Sequence, residues 1–87
     1  MKAAPHVRAN VTNDGVVLLD IKSGEIFSAN IVAARIWERL LAGDAQTAIV
    51  ESLAAEFDIP RTVIEQDVRE FVESLCARAL VTDAAEA

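Results

Sequence analysis

The sequence predicts a single α+β domain, in which a three-stranded antiparallel sheet precedes three helices in a winged helix-turn-helix-like arrangement. Two observations carry this prediction. Short alternating apolar stretches separated by turn residues fill the first 30 positions, and helical three- and four-residue spacing begins after Asn30. A chain of 87 residues also leaves room for only one domain, which we expect to span 1–87 with an ordered core of about 5–82.

The sheet is predicted as a meander of three strands. Val7–Val11 alternates apolar and polar residues, and the tight turn Asn-Asp-Gly at 13–15 follows it. Val16–Ile21 is apolar on both faces, which favours a central position. A second turn, at 22–24, leads into the short strand Glu25–Ala29. This third strand is therefore expected to lie at an edge of the sheet.

Three helices are predicted after the sheet. Asn30 is a good N-cap for the first helix, and Gly43 follows its end. Asp44 is expected to cap the second helix, and Pro60 to lie at or just before the start of the third. The expected core stripes are Ala33, Ile36, Trp37, Leu40 and Leu41 in the first helix, Ile49, Val50, Leu53 and Phe57 in the second, and Ile64, Val68, Phe71 and Leu75 in the third. Leu80–Thr82 is expected to be extended, and Asp83–Ala87 to form a frayed tail.

Charge and hydropathy narrow the class of partner. Residues 1–30 carry three basic and three acidic side chains, whereas residues 31–87 carry five basic and eleven acidic ones, so the net charge of −6 belongs to the second part. Such a chain repels phosphate backbones, and nucleic acid is not the expected partner. The longest apolar runs have four residues, against the ~20 that span a bilayer. Since no signal peptide is visible either, we expect a cytoplasmic protein with no membrane partner.

The residues that could carry chemistry are few. The chain has one histidine, one cysteine and no tyrosine. His6 is expected at a strand end on the surface, and Cys76 is expected as a part-buried structural thiol on the third helix. No ligand spacing for a metal and no glycine-rich phosphate loop is present in the sequence. The sequence therefore predicts no catalytic residues, no metal and no cofactor, and hence no enzyme.

The edge strand is the feature most suited to binding. Natural proteins usually protect such an edge with proline, lysine or a bulge, and Glu25–Ala29 has neither proline nor lysine. A flank of the third helix, with apolar Val63 beside polar Asp67, Glu70 and Ser74, is predicted to form a wall beside it and suits a peptide that is partly hydrophobic and partly basic. An incoming peptide strand would fit between the edge strand and this helix. The alternative is that the edge strand is too short to need protection and that the helix flank is an ordinary solvent-exposed boundary.

Several short motifs, in order and spacing, resemble the PqqD family. They are Asp14-Gly15, Leu18-Leu19-Asp20, Ser23 to Asn30, Ala34, Ile36-Trp37, Leu40, Gly43, Ile49-Val50, Leu53, Phe57, Asp67-Val68, Phe71-Val72, Leu75 and Ala79-Leu80-Val81. The resemblance covers roughly residues 5–82. Where the family usually has tyrosine and leucine in its hairpin segment, this chain has Phe27 and Ala29.

The resemblance implies a recognition element for ribosomally synthesised and post-translationally modified peptides (RiPPs), most similar to the stand-alone proteins of lasso-peptide biosynthesis. Such a protein binds the leader segment of a precursor peptide as an added strand and hands it to a separate leader peptidase. The implied groove residues are Glu25, Ile26, Phe27, Ser28 and Ala29 of the strand, and Val63, Asp67, Glu70, Phe71 and Ser74 of the helix. Trp37 is expected to be core. The alternatives are a winged-helix DNA-binding or regulatory protein, and a structural homodimer subunit that buries the same edge.

Overall fold

A computed structural model describes residues 1–82. Its elements, in chain order, are β1 (Lys2–Ala3), β2 (Val7–Val11), β3 (Gly15–Asp20), β4 (Ile26–Asn30), α1 (Ile31–Leu41), α2 (Gln46–Phe57), α3 (Arg61–Ala77) and β5 (Val81–Thr82). β2, β3 and β4 form an antiparallel sheet in that order, and β1 pairs with β5 in a separate two-stranded ribbon. The predicted α+β class, with β3 in the centre of the sheet, is confirmed.

The sheet has one covered and one open face. Side chains alternate along β3, so that Val16 and Leu18 are buried in the core while Val17 between them is 40% exposed. The apolar character of both sides of this strand correctly predicts its central position, but only one of its two faces belongs to the core. The three helices contribute to one core, and the outer face of the sheet stays open because no described element packs on it.

Local signals set most of the helix ends. The Asn30 side chain caps α1 by accepting a hydrogen bond from the Ala33 N–H at 3.0 Å, as predicted. Gly43 follows α1 with φ of 93°, a left-handed conformation that glycine adopts at little cost. The prediction that Asp44 caps α2 is wrong, because the N-cap residue is Ala45 and makes no side-chain bond. The Asp44 carboxylate lies instead 3.9 Å from the Arg39 guanidinium.

The predicted core stripes are largely confirmed. Trp37 is buried, and α3 buries all four of its predicted residues, Ile64, Val68, Phe71 and Leu75. Phe57, at the end of α2, is half-buried against the core. Two predicted positions lie outside the core: Leu41 is exposed at the end of α1, and Cys76 is exposed rather than part-buried. Both lie at the edge of a helical stripe, where a rotation of a few tens of degrees decides between core and solvent.

The two chain ends of the described part are joined by the β1–β5 ribbon. Lys2 pairs with Thr82 and Ala3 with Val81, and the Ala4 N–H donates to the Leu80 carbonyl at 3.0 Å. The extended segment predicted at Leu80–Thr82 is therefore present, and its partner is β1 rather than the main sheet. The tail predicted from residue 83 onward lies outside the described residues. Among residues 1–82, no helix has both the length and the apolar character needed to cross a membrane.

Candidate functional site

The free edge of β4 is the starting point of the candidate site. The Asp20 N–H donates to the Glu25 carbonyl at 2.9 Å, which fixes the alternation of hydrogen-bonded pairs along the β3–β4 ladder. By this alternation, Phe27 and Ala29 bond to β3, and the N–H and C=O groups of Ile26 and Ser28 face away from the sheet. No other strand within residues 1–82 pairs with that edge. β4 thus presents an unpaired backbone to an incoming strand.

The side chains of β4 divide between the two faces of the sheet. Ile26, which is 64% exposed, and Ser28 lie on the outer face, whereas Phe27 and Ala29 are half-buried on the helical side. There the Phe27 ring packs against the ring of Phe71 from α3, with 6.0 Å between centroids and 44° between planes. This contact closes the floor between strand and helix. The space beside it, between β4 and α3, is called the β4–α3 groove below.

The groove widens into a cavity at the end of β4 that adjoins α1. This cavity, the Asp67 cavity, has a volume of about 310 Å³. It is lined by Ala29, Asn30, Val32, Ala33, Ile36, Asp67, Glu70, Phe71 and Ser74. Its apolar residues come from β4, α1 and α3, and its two carboxylates from successive turns of α3. Neither carboxylate forms an ion pair with another residue in 1–82, and Glu70 accepts one hydrogen bond, from the Gln66 amide at 3.2 Å.

A second cavity, the Arg78 cavity, lies at the start of β4 and has a volume of about 300 Å³. Its lining residues are Leu18, Asp20, Glu25, Ile26, Phe27, Ala77, Arg78 and Leu80. The guanidinium carbon of Arg78 lies 4.9 Å from the centroid of the Phe27 ring, which is a cation–π contact. Arg78 therefore covers the opposite side of the aromatic floor from the Asp67 cavity.

Asp20 fixes the turn that leads into β4. Its carboxylate accepts hydrogen bonds from the backbone N–H groups of Lys22 at 2.9 Å and Ser23 at 3.3 Å, and it lies 3.9 Å from the His6 imidazole. Partial burial would by itself raise the pKa of Asp20, but these amide bonds and the imidazole outweigh it, so the pKa lies below its ordinary value. The charged side chain thereby holds the hairpin that positions the edge strand.

The match to known proteins agrees with this architecture. The model of the family described as Coenzyme PQQ synthesis protein D (PqqD) matches residues 15–81, well over half of the chain. The chain belongs to the PqqD family. No curated protein sequence matches it.

Two solved structures resemble this PqqD-family chain closely. One is TbiB1 in complex with the TbiA(beta) leader peptide, with a TM-score of 0.81 and 32% identity over 95% of this chain and 96% of that one. The other is lasso peptide synthetase B1 complexed with the leader peptide, with a TM-score of 0.79 and 35% identity over 88% of this chain and 91% of that one. The resemblance to PqqD-like RiPP recognition elements, inferred from the sequence, is confirmed.

The structure brings most of the predicted site residues of this PqqD-family chain together. Ile26, Phe27, Ser28 and Ala29 form β4, Glu25 immediately precedes it, and Asp67, Glu70, Phe71 and Ser74 line the Asp67 cavity. Val63 is 47% exposed at the beginning of α3 and lines neither cavity of the groove.

The lining of the groove also includes residues that the sequence did not predict, among them Val32, Ile36 and Arg78. Val32 and Ile36 of α1 line the Asp67 cavity, and the absence of a loop between β4 and α1 was a signal for them. Arg78 lies just after α3, and its contact with Phe27 has no signal in the sequence because the two residues are 51 positions apart. Most of the predicted residues on β4 and α3 therefore lie around one groove, whereas the contributions of α1 and Arg78 were not predicted.

Proposed function

We propose that this PqqD-family protein binds the leader segment of a ribosomal precursor peptide by β-strand addition to β4, and presents it to a separate maturation enzyme. The observation that carries the proposal is the unpaired edge at Ile26 and Ser28, which lies beside a groove with one cavity near each end of β4. Main-chain hydrogen bonds along the edge supply affinity, and the cavities supply specificity. The two similar structures, each a complex with a leader peptide, support a leader peptide as the ligand.

The geometry specifies how a leader strand would sit. Side chains directly opposite each other on neighbouring strands point to the same face, so leader residues opposite Phe27 and Ala29 point toward α3. These two leader positions are two residues apart, about 7 Å along the strand. One packs on the Phe27–Phe71 floor, and the other enters the Asp67 cavity. The leader residue between them lies on the outer face, beside Ser28.

The protein would act without chemistry of its own. Holding the leader tethers the rest of the precursor close to whichever enzyme docks on the complex, which raises the effective concentration of substrate for that enzyme. In a lasso-peptide or similar RiPP pathway, the enzyme expected to receive it is a leader peptidase.

Leader binding is tested with the synthetic leader encoded by the short precursor reading frame in the same gene cluster. Titration into the ¹⁵N-labelled protein should shift the amide resonances of β4 and of the cavity-lining turns of α3, with those of the α2 surface unchanged. A leader that fails to bind, or that shifts amides away from β4, contradicts the proposal. Sedimentation of the protein without leader tests the homodimer alternative. A stable dimer that does not dissociate when leader is added would also contradict the proposal, because its β4 edge would stay buried.

Delivery needs a separate measurement. Cleavage of the full precursor by the peptidase of the same cluster should be faster with this protein present, and the acceleration should be lost with an excess of isolated leader, which competes for the groove. An unchanged cleavage rate with intact leader binding would reject delivery while leaving the binding role standing.

A further inference from the structure

Acidic side chains outnumber basic ones along the groove. The carboxylates of Asp67 and Glu70 lie at the groove, while Arg61 and Arg69 line a different cavity, together with Glu65, on the side of α3 that faces α2. Two further acids, Asp20 and Glu25, line the other end of the groove, where Arg78 is the single basic residue among the lining side chains. The lining of the groove is therefore acidic on balance, and it complements a peptide of positive charge.

The Asp67 cavity combines this charge with an apolar interior. Val32, Ile36 and Phe71 supply apolar surface, and the carboxylates of Asp67 and Glu70 stand one helical turn apart among its lining residues. Lysine and arginine have the complementary structure, with an apolar stem and a cationic head that reaches the surface. Asp67 is half-buried, so its interaction with such a head is less screened by salt than that of a fully exposed carboxylate.

Neither carboxylate is neutralised from within residues 1–82, although five other ion pairs form there. Asp67 therefore meets an incoming cation without giving up a partner, and Glu70 gives up at most its hydrogen bond from Gln66. An anionic leader side chain in the same place would be repelled by the two carboxylates. A neutral polar side chain would lack the apolar surface that packs against the apolar residues of the cavity.

We infer that Asp67 and Glu70 are specificity determinants that select a lysine or arginine in the bound peptide, at the position opposite Ala29. This inference rests on the proposed function, because it assumes a peptide strand on β4. The position follows from the register: the Asp67 cavity is lined by Ala29 and Asn30 at the end of β4, and only peptide residues opposite Phe27 and Ala29 point toward α3. The neighbouring inward position, opposite Phe27, takes an apolar side chain against the aromatic floor.

The test begins with a display library of random 12-residue peptides, selected against the full chain. Enriched peptides that shift β4 amides should carry lysine or arginine two positions from an apolar residue. The strongest binder is then synthesised with lysine or with its uncharged analogue norleucine at that position. On the wild-type protein, norleucine should weaken binding roughly three- to tenfold, and the difference should shrink in high salt.

Two double variants, matched in charge, locate the effect. Asp67→Asn with Glu70→Gln should abolish the preference for lysine over norleucine. Glu65→Gln with Glu73→Gln changes the net charge equally on the same helix, at residues outside both groove cavities, and should retain the preference. All four positions are exposed or half-buried, so both proteins should unfold at nearly the wild-type temperature.

The outcomes separate this inference from the proposed function. Equal binding of the lysine and norleucine peptides to the wild type, or loss of the preference in the Glu65 and Glu73 variant as well, overturns the inference. If β4 amides still shift in those cases, strand addition stands and only the charge selection falls. If neither the selected peptides nor the precursor leader shift β4 amides, both proposals fall.

Discussion

Replacing Ser28 with proline should weaken leader binding at least about fivefold while leaving the protein folded. The Ser28 N–H faces the free edge, so its loss removes no bond of the β3–β4 ladder, which Phe27 and Ala29 carry. One hydrogen bond contributes a net ~0.5–1.5 kcal/mol, and 1.4 kcal/mol is a factor of ten in affinity. The pyrrolidine ring also occupies space where the incoming strand must approach, which adds to the loss.

Ala9→Pro is the matched control, because β2 is the opposite edge of the same sheet. The Ile21 N–H donates to the His6 carbonyl and the Thr12 N–H to the Gly15 carbonyl, at 2.9 and 2.8 Å, and this alternation turns the Ala9 N–H away from β3. Ala9 is exposed. Calorimetric titration with the leader measures affinity, and thermal unfolding confirms the fold of both variants. A folded Ser28→Pro protein that binds within twofold of the wild type, or equal weakening by Ala9→Pro, would refute the reasoning.

Three further predictions concern the support of the groove. Leu75→Ala should lower the free energy of unfolding by about 2–5 kcal/mol and the adjacent, exposed Cys76→Ala by less than about 0.5 kcal/mol, measured by urea denaturation; similar losses would contradict the assigned face of α3. Gly15→Ala should displace β4 and weaken leader binding, since a Cβ at Gly15 would lie 2.2 Å from the Ala29 carbonyl oxygen; unshifted β4 amides would exclude that collision. Because the pKa of Asp20 is lowered in the folded state, its charge stabilises the fold above the unfolded value of 3.8, and this contribution is lost as pH falls through the folded value. The difference in unfolding temperature between wild type and Asp20→Asn should therefore shrink as the pH falls below about 5, and a difference that persists unchanged to pH 2 would contradict the role assigned to the Asp20 carboxylate.

The fold was predictable to the extent that its signals are local. The change from two-residue to helical spacing at Asn30, the cap that Asn30 provides and the stripe Ile64 to Leu75 all depend on neighbours within a few positions, and all are present in the structure. The sequence predicts less well where one side chain has two possible partners nearby. Asp44 could cap α2 or face Arg39, and the structure has it beside Arg39.

The candidate site shows the same division. The strand and helix that border the groove were predicted from the edge position of β4 and from the exposed flank of α3. In the structure, Phe27 of this strand packs against Phe71 of this helix. The α1 wall of the Asp67 cavity and the position of Arg78 over Phe27 depend on how whole elements pack, and no periodicity encodes this.

By itself, the sequence determined the order of the elements and the identity of the edge strand, because alternation, caps and turns are properties of adjacent residues. Only the tertiary structure decided that β5 pairs with β1, where Lys2 lies opposite Thr82, 80 positions away, and so leaves β4 open. Strands of two residues have too little pattern to be recognised and too few hydrogen bonds to form alone. Their pairing is set by the packed core, which brings the two ends of the described chain together.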